Sequence, residues 1–150
     1  MNKADGSNAQ ALAEACAAYM LAADRASQGL GMVVESVSPG HAVLCMSVRE
    51  DMSNGHGICH GGFIFTLADS AFAFACNTYN QLAVAQHCSI SYVAPARLGD
   101  RLTAVAVERH KQGRSAIYDI TVTNQDDEKI AEFRGHSRTI KGQHVPDDAE

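Results

Sequence analysis

The run Phe63-Ile64-Phe65-Thr66-Leu67-Ala68-Asp69-Ser70-Ala71-Phe72-Ala73-Phe74-Ala75-Cys76 is apolar except at Thr66, Asp69 and Ser70. Its apolar residues fall on every side of a helix rather than along one stripe, and a helix of that kind has to be buried. The rest of the chain must therefore wrap around it. Asp69 is out of place there, because an isolated charge in an apolar interior is very costly and must be neutralised, paired or hydrogen-bonded. Just upstream, Asn54-Gly55-His56-Gly57-Ile58-Cys59-His60-Gly61-Gly62 cannot be helix interior and reads as the loop that starts the helix. A glycine-rich helix start beside a misplaced carboxylate has the makings of an active site.

The remaining pattern says what does the wrapping. Residues 8–25 are alanine-rich, with Leu12, Cys16, Tyr19, Met20 and Ala23 at helical spacing and Gly29 beyond them. Residues 32–37 and 42–48 read as a hairpin across the turn Ser38-Pro39-Gly40. The buried helix spans 62–78. After it come only strands: 84–93, closed by Pro95, then 101–110, 116–123 and 129–140. The polar residues 142–150 are expected to fray. The chain 1–150 is thus expected to be one α+β domain, an antiparallel sheet wrapped around one long central helix. A sheet this small cannot cover every side of that helix, and the uncovered side predicts a partner subunit.

Composition narrows the functional classes. With 46% hydrophobic and 19% charged residues, the 150-residue chain fits an ordinary soluble globular domain. A net charge of −5 gives no overall attraction for nucleic acid. Nine of the twelve Lys and Arg lie beyond residue 75, but ten of the seventeen acids lie there too, which describes a solvated mixed-charge sheet face. The five cysteines are odd in number and form no C-x-x-C pair, which fits a reducing cytoplasm. Residues 15–23 read as amphipathic helix rather than a leader, because Glu14 precedes them and Asp5 spoils a basic start. No apolar run approaches ~18 residues, so no membrane span is expected.

The chemistry centres on the start and the middle of the apolar run. The first N–H groups of a helix have no intrahelical partner and carry the positive end of its dipole. Gly61 and Gly62 leave that end bare, so a ligand oxygen can approach the backbone closely. Fixed donors aimed where negative charge develops make an oxyanion hole for acyl transfer. Asp69 can act as a nucleophile, giving a mixed anhydride, or as a general base on water. Asn54 offers an amide to orient water or an acyl oxygen, and His60 a donor to a carbonyl or a loop-holding bond. The cluster His56, Cys59 and His60 is too crowded, and lacks a second cluster, to complete a metal site. Gly61 and Asp69 are eight residues apart, about 12 Å along a helix. One small carbonyl cannot sit against both in one chain. Two such helices packed antiparallel across a two-fold axis would bring Asp69 of one to Gly61 of the other. The spacing predicts shared sites at a dimer interface.

The block Asn54-Gly-His-Gly-Ile-Cys-His60-Gly61-Gly62, followed by Leu67-Ala68-Asp69-Ser70-Ala71-Phe72-Ala73, closely resembles the hotdog-fold thioesterases of the phenylacetate-degradation (PaaI) type. The likeness continues through Pro95, Gly99-Asp100, Tyr118-Asp119-Ile120, Asn124-Gln125 and Phe133-Arg134-Gly135-His136-Ser137, over roughly residues 25–140. The resemblance implies a cytoplasmic hotdog dimer, paired into a tetramer, that hydrolyses aromatic acyl-CoA thioesters with no metal and no cofactor beyond the coenzyme A of the substrate. It makes Asp69 the catalytic carboxylate and Gly61 the oxyanion donor from the opposite subunit. Asn54 and His60 would line the same pocket, with Gly62 and Ser70 beside it. Arg97, Arg134, Gly135 and Ser137 would form the rim that meets the CoA tail. The family often reads Arg-Pro before the third-strand turn. Here the segment is Ala94-Pro95-Ala96-Arg97, with the base after the proline. Two other readings fit a hotdog sequence: an acyl-CoA-binding domain without turnover, and an acyl-thioester hydratase or dehydratase. Retention of Asp69 speaks against the first. The second typically uses a His with an acid, and His60 lies at the wrong end of the helix.

Overall fold

The structure, a computed structural model, describes residues 3–147. Six antiparallel strands form one sheet: β1 (Val33–Ser38), β2 (His41–Ser47), β3 (Ala83–Tyr92), β4 (Arg101–Gln112), β5 (Ser115–Thr123) and β6 (Lys129–Thr139). Their order across the sheet is β1-β2-β4-β5-β6-β3. The jump from β2 to the far edge at β3 is made by the central helix, α3 (Gly61–Cys76), which lies across one face of the sheet. β5 and the first half of β4 alternate buried with open residues, and the inward residues of the sheet (Leu44, Leu102, Ala104, Tyr118, Ile120, Phe133) are buried beneath the helix.

Two preceding helices, α1 (Lys3–Ala23) and α2 (Arg25–Gly29), stand where the sequence reads one helix over 8–25. Asp24 makes the break. Its carboxylate accepts from the Ser27 N–H at 2.9 Å and so caps a new helix rather than extending the old one. α1 buries Ala13, Cys16 and Ala17 and packs on β1, shielding one sheet edge. No helix among the described residues is long and apolar enough to cross a membrane.

α3 starts one residue before the expected 62 and stops two before 78. Asn77 ends it. Its amide donates to the Ala73 and Ala83 carbonyls at 2.9 and 3.1 Å and accepts from the Ala83 N–H at 2.9 Å, which turns the chain into β3. The helix is also not buried all round within one chain. Ile64, Leu67, Ala68, Ala71, Phe72, Phe74, Ala75 and Cys76 are buried. Gly62, Thr66, Asp69 and Ala73, spaced as one helical stripe, stay partly open.

The tail expected to fray over 142–150 is tied down at His144 and Val145. Asn80 Oδ1 accepts from the His144 and Val145 N–H groups at 3.0 Å each, and its amide donates to the Val145 carbonyl at 2.9 Å. Residues 148–150 lie outside the described residues.

Helix and sheet meet tightly at Gly135 of β6, where a Cβ would lie 2.8 Å from the Phe72 ring. Phe72 in turn packs on Tyr118 and Phe133 at centroid distances of 5.7 and 6.0 Å. Gly135→Ala should therefore lower stability by about 1–3 kcal/mol through overpacking. Urea unfolding measures it, and a midpoint equal to wild type would contradict this account of the helix seat.

Candidate active site

The loop before α3 is fixed by backbone bonds from neighbouring strands and turns. The His60 N–H donates to the Met52 carbonyl at 2.7 Å and the Cys59 N–H to the Ala96 carbonyl at 2.8 Å. Asn54 Oδ1 holds the loop closed by accepting from the His56 N–H at 2.9 Å. Its amide nitrogen has no partner among the described residues.

His60 caps the helix. Its Nδ1 accepts from the Gly62 N–H at 2.9 Å, which leaves the ring proton on the outward Nε2. The Phe63 N–H donates to the His60 carbonyl at 3.0 Å. The expectation of a bare double-glycine end is thereby corrected: the Gly62 N–H is taken by His60, while the Gly61 N–H has no partner among the described residues. Gly61, Asn54, Ile58, Ile64, Tyr92 and Pro95 line a groove of about 420 Å³. Arg97 does not line the groove but bridges by its backbone to Ile58, which does, and its exposed guanidinium makes no ion pair among the described residues. The shape suits an apolar arm running inward past one free N–H and one free amide.

Asp69 lies two turns further along α3, on the open stripe. Burial raises its pKa, and the Cys88 thiol, 3.9 Å from Oδ1, partly offsets that by donating to the charged form. Cys88 itself is pushed up to about 11 by burial and by Asp69, so it stays a thiol. Among the described residues no three His, Cys, Asp or Glu side chains gather as metal ligands would.

The other expected residues are dispersed. Ser70 points to α2, its Oγ 3.0 Å from Ser27 Oγ, rather than towards the Gly61 groove. Gly135 fits beneath Phe72. Arg134 alternates with Gly135 and so faces outward, where its Nε and Nη2 grip Asp119 at 2.6 and 2.9 Å. Ser137 is buried under a second hollow bordered by His110 and His136. Tyr92 was missed by the sequence reading. It touches Gly61 across 31 positions, a pairing that no local pattern signals.

The chain matches the family model described as Thioesterase superfamily over residues 56–131. It is 44% identical over 119 residues to the acyl-coenzyme A thioesterase PaaI of Escherichia coli strain K12, spanning 79% of this chain and 85% of that one. It is also similar to the solved structure of the E. coli PaaI protein from the phenylacetic acid degradation operon. There the TM-score is 0.88 at 42% identity, over 89% of this chain and 97% of that one. A Streptococcus mutans UA159 protein bound to acetyl CoA aligns with a TM-score of 0.72 at 28% identity, over 75% and 90% of the two chains.

A raised carboxylate pKa means that the folded state holds the proton more tightly than the unfolded one. Stability then falls as pH rises from the ordinary carboxylate value through the raised one. Asp69→Asn should melt higher than wild type at pH 7, with the gap narrowing as the pH approaches the ordinary carboxylate range. A variant that melts lower at pH 7 would show Asp69 to be a structural anchor.

Proposed function

The chain belongs to the Thioesterase superfamily and is a PaaI-like acyl-CoA thioesterase; from that premise we propose that it hydrolyses small aromatic acyl-CoA thioesters, of the phenylacetyl or hydroxyphenylacetyl type, at sites shared between two copies of the chain. One observation carries this reading. The free Gly61 N–H and Asp69 sit on the same helix about 12 Å apart, too far to serve one carbonyl unless a second helix supplies one of them. The aromatic preference rests on the phenylacetic acid degradation operon of the E. coli relative.

In this reading the thioester carbonyl sits at the helix start. As its carbon becomes tetrahedral, the oxygen gains charge and draws on the Gly61 N–H and the Asn54 amide, with the His60 Nε2–H at the mouth. Asp69 of a second copy acts on the carbonyl carbon directly or removes a proton from water that attacks it. The C–S bond breaks, and the thiolate takes up a proton and departs as CoA. After attack by water the free acid leaves at once. After direct attack a water first hydrolyses the mixed anhydride on Asp69, releasing the acid and restoring the carboxylate. Incorporation of ¹⁸O into Asp69 during a single turnover in labelled water separates the two routes: label in the protein means direct attack.

The sheet edge supports the pairing. β3 has no neighbouring strand on its outer side among the described residues, and Val84 and Tyr92 on it are 46% and 49% exposed. An unpaired ten-residue edge invites a partner strand. Two β3 edges joined antiparallel would set the open stripes of the two α3 helices side by side, and two such dimers would make a tetramer. Free thiols at all five cysteines fit a cytoplasmic setting.

Thiol release from a panel of aromatic and aliphatic acyl-CoAs tests the reading. Wild type should favour the aryl-acetyl members, and Asp69→Asn should lose about 10²-fold or more in kcat. Because the base must be charged, wild-type kcat should fall with decreasing pH through a pKa above the ordinary carboxylate range. Asp69→Asn within tenfold of wild type would remove Asp69 from the chemistry.

A further inference from the structure

The peptide between Gly61 and Gly62 is gripped at both ends. Its carbonyl accepts from the Tyr92 hydroxyl at 2.9 Å, and its N–H donates to His60 Nδ1 at 2.9 Å. The Tyr92 ring also lies against the glycine itself: a Cβ at Gly61 would be 3.0 Å from Cζ and 3.2 Å from the hydroxyl oxygen. Tyr92 is the last residue of β3 and pairs with Ala131 of β6, so this contact fastens the start of α3 to the sheet. Burial raises the phenol's pKa, which keeps it a donor.

Two successive glycines are the most permissive backbone a chain can place at a helix start. Without a restraint, the Gly61 N–H could swing away from its acceptor, and a hydrogen bond weakens steeply once bent. The Gly61 N–H itself belongs to the 60–61 peptide, whose carbonyl accepts from the Phe63 N–H at 3.0 Å. His60 Nδ1 holds the nitrogen end of the next peptide, and the Tyr92 hydroxyl holds its oxygen end and with it the Gly61 Cα that bears the N–H nitrogen.

We propose that Tyr92 is a positioning residue for thioester hydrolysis: its hydroxyl holds the Gly61–Gly62 peptide so that the Gly61 N–H points at the developing oxyanion. The proposal rests on the role assigned above to Gly61. Tyr92 acts through Gly61 and moves no proton itself. Because an oxyanion takes more from a well-aimed donor than a ground-state carbonyl does, losing the hydroxyl should show in kcat rather than in KM.

Tyr92→Phe keeps the ring on Gly61 and removes only the donor. Assayed on an aryl-acetyl-CoA beside Asp69→Asn, it should lose about tenfold in kcat, a part of what deleting a whole oxyanion donor costs. KM should change by less than about twofold, and the acid limb of the pH profile, which belongs to Asp69, should stay in place. An inactive Asp69→Asn with a Tyr92→Phe of wild-type kcat would overturn the role of Tyr92 alone, as would a loss confined to KM or a displaced acid limb. A fully active Asp69→Asn would overturn the site reading and this proposal with it.

Discussion

α3 is apolar around most of its circumference, whereas a six-stranded sheet lies against only one side of it. Much of the rest follows from that mismatch. The covered side is packed closely enough that Gly135 has no room for a methyl group beside Phe72. The other side is left as a stripe of small and polar residues, Gly62, Thr66, Asp69 and Ala73, next to the unpaired edge of β3. In the proposed function, a second copy of the same chain covers both the stripe and the edge.

The helix start and the carboxylate are matched in charge and divided in space. At the start, His60 consumes the Gly62 N–H with its ring and the Phe63 N–H with its carbonyl. One donor, that of Gly61, is left over at the positive end of the dipole. Two turns on, burial makes Asp69 a stronger base than an exposed carboxylate while Cys88 supplies a weak donor to it. In the proposed function, these two groups are an oxyanion donor and a base, held on one helix at a separation that keeps them from neutralising each other.

Strands were legible because alternation survives folding: every strand end falls within two residues of where the period-two pattern stops. Helix ends were less legible, since side chains decide them. Asp24 caps α2 and Asn77 diverts α3, and both residues also occur in plain turns. In the site, Asn54, Gly61 and His60 stood out because they share one short loop, and Asp69 because its polarity breaks an apolar run. Tyr92 did not, since its partner is distant in sequence. Ser70, Arg134 and Gly135 carried expectations from a resemblance in sequence. Within this chain their side chains or their lack of one answer to Ser27, Asp119 and Phe72, partners that only the fold brings together.

Sharing of the site is the central claim, and subunit complementation tests it most directly. Asp69→Asn lacks the base. Gly61→Val would crowd Tyr92 and displace the donor, given the 3.0 Å already measured to a Cβ at that position. Each variant alone should be inactive. Co-expressed in equal amounts, half of the dimers would carry one of each chain, and one of the two sites in such a dimer would combine an intact Gly61 with an intact Asp69. Activity should return to about a quarter of wild type. A mixture as inactive as its parents, with mixed dimers demonstrated by mass, would contradict the shared site and place the whole reaction within a single chain.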